Sequence, residues 1–221
     1  MNDVVTVVTI DVYSDVICPW CYVGKRRLER ALARLDDVET HVTWRPFQLN
    51  PTMPKEGMDR TTYLEAKFGS LAAFRRLEGY ILAAGVSEEI PFAFEKVART
   101  PNTFSAHRLI WYAGQQGCQE EVVDSLFRGY FEEGVDIGSS EALTRLAASV
   151  GLDAERFLRS GEGAAEVKAE EAAGHRLGIR GVPYFVFNNR YAISGAQPAE
   201  EFVATIQKVR AQQAEGLMSN R

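Results

Sequence analysis

Cysteine is scarce in this 221-residue chain, and Cys18, Cys21 and Cys118 are too few to staple a fold through disulfides. Basic charge is short as well. There are 25 Lys and Arg against 30 Asp and Glu, a formal net charge of -5. A polyanion would meet no electropositive field, which argues against nucleic acid as a partner. Long apolar runs are also missing. The first, Val4 to Ile10, is broken by Thr6 and Thr9 and follows Asp3 rather than a basic cluster, so it reads as a strand and not a signal peptide. Nowhere do the roughly 18 apolar residues of a spanning helix occur in succession. No membrane partner is expected, and the cytoplasm is the expected compartment. No repeat or low-complexity linker divides the chain. Its length suits one large domain, or one domain carrying an insertion, with a sizeable core.

Val4 to Tyr13 is rich in β-branched and aromatic residues and predicts a buried central strand leading into Ser14-Asp15-Val16-Ile17-Cys18. After Cys21, Val23, Leu28, Ala31, Leu32 and Leu35 recur at helical spacing. Thr40 to Phe47 alternates again and predicts a second strand, closing a β-α-β unit. Helical patterns then cover 59–69, 71–84, 103–116, 119–133, 140–150 and 154–177, with Gly69, Gly85, Gly117, Gly134 and Gly151 near their ends. Asn102 is the expected N-cap of the third, and Ser139 or Ser140 of the fifth. Tyr184–Phe187 and Tyr191–Ile193, joined by Asn188-Asn189, predict a hairpin. A last helix opens at Gln197-Pro198-Ala199-Glu200-Glu201, and its polar tail beyond about Ala211 is expected to fray. Three segments result: 1–52 and 178–221 as two halves of one α/β unit, and 53–177 as an all-helical insertion.

Cys18-Pro19-Trp20-Cys21 carries the chemistry. A cytosolic Cys-x-x-Cys is either metal-binding or redox-active. Structural zinc wants four ligands, commonly a second close pair, whereas Cys118, His41, His107 and His175 stand isolated, so no metal is expected. Cys118 reads as a buried thiol without a role. A thiolate, not a thiol, attacks a disulfide. Cys18 falls where a strand ends and a helix begins, so helix N–H groups and dipole stabilise its anion. Cys21 lies one turn on and can resolve a mixed disulfide. Cys18 is therefore the expected nucleophile and Cys21 the resolving thiol. Pro19 suits the first helical turn, and Trp20 gives the site an apolar rim. Gly181-Val182-Pro183 precedes the hairpin. A cis Val182–Pro183 bond would let the Val182 backbone face Cys18 and pair with an extended substrate. His107, with Asn102 and Arg108 nearby, either faces the dithiol as a substrate contact or makes an ordinary helix-surface hydrogen bond. Phe47, Trp111 and Tyr112 read as a substrate groove or, more simply, as core.

Strand, Cys-x-x-Cys, strand, then Val-Pro, hairpin and helix resembles the thioredoxin fold, and the long helical insertion resembles the DsbA family. Ser14 to Lys25, Asn102-Thr103 with Ala106 to Leu109, and Gly178 to Phe185 with Ser194 to Pro198 are similar to its FrnE-like cytoplasmic branch. The resemblance implies dithiol–disulfide exchange at Cys18 and Cys21 without a cofactor, and a cis bond at Pro183. The partner it implies is a thiol- or disulfide-bearing protein or small molecule, glutathione included. Two departures stand out. Many thioredoxin-like proteins carry a buried acid six residues before the first cysteine, where this chain has Val12. Asp11 and Asp15 are expected to point elsewhere, so no proton acceptor is assigned. Pro19-Trp20 also differs from the usual pairs, leaving oxidant, reductant and isomerase open. Two rivals remain: a glutathione-dependent isomerase or transferase of the kappa or 2-hydroxychromene-2-carboxylate isomerase type, and a redox-sensing protein without turnover. The first usually has serine in place of Cys18 and no second cysteine.

Overall fold

The structure, a computed structural model, describes residues 7–219. β1 (Val8–Ser14), α1 (Pro19–Leu32) and β2 (Thr40–Pro46) come first. β1 and β2 pair in parallel from Val8 opposite Thr40 to Ser14 opposite Pro46, so α1 is the crossover of a β-α-β unit. The chain then leaves the sheet through β3 (Met58–Asp59), α2 (Arg60–Phe68), α3 (Leu71–Ser87), a 3-10 turn at Phe94–Lys96 and β4 (Arg99–Thr100). It continues through α4 (Phe104–Gln116), α5 (Gln119–Phe131), α6 (Ser140–Ser149), α7 (Glu155–Arg159) and α8 (Ala164–Arg176). β5 (Tyr184–Phe187) returns antiparallel to β1, β6 (Tyr191–Ser194) adds the edge, and α9 (Ala199–Ser219) closes the chain. The sheet order β2-β1-β5-β6 puts β1 in the middle. Val8, Ile10 and Val12 are at most 1% exposed, as a central strand requires. The mixed α/β architecture is a thioredoxin fold with a helical insertion. Among the described residues, no helix is long and apolar enough to cross a membrane.

α1 fixes the site because nearly its whole circumference is covered. On the sheet side a Cβ on Gly24 would come within 3.1 Å of both Pro183 Cγ and Phe185 Cζ, so only glycine lets the helix sit this close. On the insertion side the Tyr22 ring stacks on Phe127 at 5.0 Å, and its hydroxyl donates to Glu132 at 2.7 Å. Lys25, 1% exposed, carries its ammonium to Glu120 at 2.7 Å, Asp124 at 3.3 Å and Glu29. Burial alone would lower the Lys25 pKa, but Glu120 and Glu29 outweigh it and hold the pKa above its ordinary value.

Several expected elements differ. Val4–Thr6 lie outside the described residues, and β1 begins at Val8. The run 154–177 is two helices, because Gly163 takes φ +74 at the N-cap of α8 and breaks the pattern between them. α3 runs through Gly85 to Ser87; that glycine makes room for Phe92, whose ring would lie 2.5 Å from a Cβ. Thr103, not Asn102, is the N-cap of α4, although Asn102 Oδ1 still accepts the Phe104 N–H at 3.0 Å. α9 continues to Ser219 rather than fraying near Ala211. Ser139 caps α6 as expected, and Asn188 and Asn189 both adopt the positive φ of a two-residue hairpin turn. Phe47 packs on His175, while Trp111 and Tyr112 stack on Phe157, so these aromatics are core.

Replacing Gly24 with alanine is expected to lower stability by about 1–3 kcal/mol through overpacking against Pro183 and Phe185. Urea denaturation reads this as an earlier midpoint at unchanged slope; a midpoint within error of the parent would show that α1 can shift freely.

Candidate active site

Cys18 is the N-cap of α1, in extended geometry (φ -92, ψ 112), with Pro19 at the first helical position. A cap residue normally offers an oxygen to the exposed N–H groups; here a sulfur takes that place and makes no capping bond. The first turn of α1 holds no acid, so nothing offsets the positive end of the helix dipole beside Cys18. The Cys18 N–H donates to the Asp15 carbonyl at 2.9 Å and the Cys21 N–H to the Cys18 carbonyl at 3.0 Å, which sets both sulfurs on one side of the turn.

The two thiols are unequal. Cys18 is 6% exposed and Cys21 fully buried. Burial first, then the hydrogen bond and charge of Cys18, push the Cys21 pKa well up, opposed in part by the Ser14 hydroxyl and the Asp15 backbone. Cys21 is held protonated while Cys18 stands at the helix end. Opposite them, Cys18 Sγ lies 3.7 Å from the Val182 carbonyl oxygen, and the Val182–Pro183 bond is cis, as expected. Pro183 is buried and Val182 half-buried. Trp20, 37% exposed, stands at the surface and lines one cavity with Cys18 and Pro19, while the Val-Pro pair meets the motif through the Cys18–Val182 contact.

His107 does not reach the surface and makes no substrate-facing contact: it is 3% exposed, and its Nε2 stands 3.3 Å from Asp15 Oδ1, in ion-pair range but off the line of a hydrogen bond. Asp11 pairs with Arg45 at 2.7 Å, as a residue turned away from the dithiol would. Asp15, expected to do the same, turns inward instead. It is fully buried, and its Oδ2 accepts the Leu49 N–H at 2.8 Å. Sequence reasoning missed it because the acid was sought on the strand, at Val12; Asp15 lies past the strand end, where side-chain direction no longer follows the two-residue alternation. Cys118 is half-buried at the N-cap of α5, away from the dithiol.

Residues 9–207 match the family described as DSBA-like thioredoxin domain, and the chain belongs to that family. More particularly, it is 30% identical over 203 residues to the uncharacterized protein YwbO of Bacillus subtilis (strain 168), covering 90% of this chain and 96% of that one. It is also similar to the crystal structure of a probable DsbA oxidoreductase, SCO1869, from Streptomyces coelicolor, with 35% identity, a TM-score of 0.84 and coverage of 92% and 90%. The cytosolic disulfide reductase DsbM from Pseudomonas aeruginosa, solved with GSH, shares the fold at 17% identity and a TM-score of 0.61, with 95% and 99% covered.

Asp15→Ala strands the buried Leu49 N–H and is expected to cost about 1–3 kcal/mol, measured by chemical denaturation. A raised Cys21 pKa means that the reduced folded protein keeps a proton which the unfolded chain gives up above about pH 9, so stability falls as pH rises past that point. Between pH 8 and 10.5 the Tm of the reduced protein should fall more steeply than that of Cys21→Ala; parallel curves would refute the raised pKa.

Proposed function

We propose that the protein is a thiol–disulfide oxidoreductase working through Cys18 and Cys21. The observation that carries the reading is the pairing of a thiol at a helix N-terminus whose first turn holds no acid, facing the Val182 carbonyl, with a second, buried thiol one turn on. The Cys18 thiolate attacks one sulfur of a substrate disulfide, forming a mixed disulfide and releasing the other sulfur as thiolate. Cys21 then gives up its proton and attacks Cys18 Sγ; the Cys18–Cys21 bond forms, and the second substrate thiolate leaves. Two electrons pass to the substrate. Run backwards, the same steps oxidise a dithiol.

Membership of the DsbA-like family supports disulfide chemistry, and the second cysteine favours it over a glutathione-dependent isomerase that needs one hydroxyl. The Val182 backbone is the natural edge against which an extended substrate would align. The buried acid nearest the dithiol in sequence is Asp15, three residues before Cys18, with His107 3.3 Å from its Oδ1, whereas Val12 offers no acid. The compartment that fits is the cytoplasm, with a thiol pool such as glutathione as redox partner.

Cys18→Ser should reduce insulin-disulfide reduction to the uncatalysed rate, and Cys21→Ser should accumulate a covalent mixed disulfide visible by mass spectrometry under non-reducing conditions. Full turnover by Cys18→Ser would sink the assignment.

A further inference from the structure

Beside Cys18 the surface opens into a cavity of about 370 Å³, a size common among small-molecule sites. Its floor begins at Cys18 and Pro19, and its walls are Phe74 and Ile81 of α3 with Phe94 and Phe131. Around the mouth, Trp20, Leu77 and Tyr80 are 37%, 47% and 72% exposed. An apolar rim this open on a chain rich in charge marks a binding site.

The charges within it are all of one sign. Arg60 and Lys67, both on α2, line the cavity, and no Asp or Glu does, in a protein whose net charge is -5. Arg60 has no carboxylate partner among the described residues. Its guanidinium lies 5.7 and 5.6 Å from the ring centres of Phe74 and Phe94, and Nη1 donates to the Tyr130 hydroxyl at 3.3 Å. That hydroxyl does not neutralise it, because burial pushes the Tyr130 pKa up to about 12. Lys67 likewise meets only the Tyr63 hydroxyl, at 2.7 Å, and the face of that ring. Around α1 and β2 the arrangement is different, since Lys25, Arg26, Arg27 and Arg45 each face at least one carboxylate; the buried Arg108 also lacks one, but its guanidinium is taken up by the carbonyls of Phe157, Ser160 and Glu162. Two cations without a facing carboxylate at an apolar cavity, Arg60 half-buried and Lys67 exposed, suit an anion attached to an apolar body.

We propose that this cavity selects apolar small-molecule disulfides bearing a carboxylate, seating the hydrocarbon or aromatic part between Phe74, Ile81 and Phe94 and the carboxylate against Arg60 and Lys67, with a sulfur presented to Cys18. The proposal rests on the exchange reading above and names its substrate class. Chemically the step is the one already written: the Cys18 thiolate forms a bond to one substrate sulfur, the substrate S–S bond breaks, and an aryl or alkyl thiolate carrying the carboxylate departs. Cys21 then completes the protein disulfide, and a thiol reductant restores the dithiol. Glutathione disulfide is a poorer match: its four carboxylates outnumber its two ammonium groups, but its polar peptide units would leave the apolar walls unfilled and so not seat a carboxylate against Arg60 and Lys67.

The test uses the full-length reduced protein with Cys118→Ser as background, in stopped-flow single turnovers. Two aromatic disulfides are compared, 5,5′-dithiobis(2-nitrobenzoate), which carries a carboxylate on each ring, and neutral 2,2′-dithiodipyridine. Arg60→Gln with Lys67→Gln should slow the anionic substrate by about 10-fold to 100-fold and leave the neutral one within about 2-fold, as expected for lost charge-assisted contacts. Lys67→Gln alone, at an exposed position that folding does not depend on, should give several-fold of the same selective loss. Arg60→Lys should recover part of it. Equal loss for both disulfides, or loss for neither, overturns the proposal; so does a selective loss that glutathione disulfide shares in full. Loss of insulin reduction by the double variant in proportion to its loss with the anionic disulfide would make the cavity a protein-binding site and overturn the proposal. If neither disulfide oxidises the Cys18–Cys21 dithiol of the Cys118→Ser parent faster than it oxidises an unfolded cysteine peptide, the exchange reading itself has failed.

Discussion

The arrangement around the dithiol depends on one buried carboxylate. Asp15 has no exposed surface, yet it lies where four segments meet. Its carbonyl receives the Cys18 N–H that starts α1, its Oδ2 receives the Leu49 N–H after β2, and its Oδ1 faces His107 of α4. A carboxylate taken out of water is costly unless it is paired, and here Oδ2 holds the Leu49 N–H while Oδ1 has only the 3.3 Å approach of His107, so losing either contact is costly. The same residue thereby fixes the strand end, the helix start, the exit of the second strand and the insertion helix that packs against β2.

α1 carries the consequence outward. Gly24 lets it approach the Val182–Pro183 loop, and Tyr22 and Lys25 bind its other side to α5. The Lys25 ammonium is buried but its partners Glu29 and Glu120 are 38% and 47% exposed, so the pairs tether more than they stabilise. The larger contribution is apolar: Tyr22 is fully covered, and rings of this size remove about 150–250 Å² each from water. The dithiol therefore sits at a seam, with the sheet on one flank and the insertion on the other.

Much of this was legible in the sequence because local signals agreed with the global arrangement. The β-branched run of β1, the helical spacing after Cys21, the Asn188-Asn189 turn and the Val-Pro pair each have a physical meaning that needs no tertiary information. The nucleophile and its resolver follow from their position at a helix start. What stayed hidden depends on tertiary placement. Gly163 reads like any other glycine until its positive φ splits a helix, and the two-residue pairing of β3 with β4 is too short for a period. Asp15 and His107 lie 92 residues apart by number and show their relation only once α4 packs against β2. Arg60 and Lys67 look like ordinary helix-surface charges until the absence of any facing acid becomes visible.

The central position of β1 has a consequence for how the chain is made. Thr9 bonds Asn188 across 179 residues of sequence, so the sheet can be completed only after the chain as far as Asn188 has left the ribosome. Until then one flank of β1 is an open template for pairing, and Cys18 and Cys21 are reactive without the loop that later covers them. Such long-range closure slows folding relative to the local helices of the insertion, which can form early and shelter α1 while the second half of the sheet is still being synthesised.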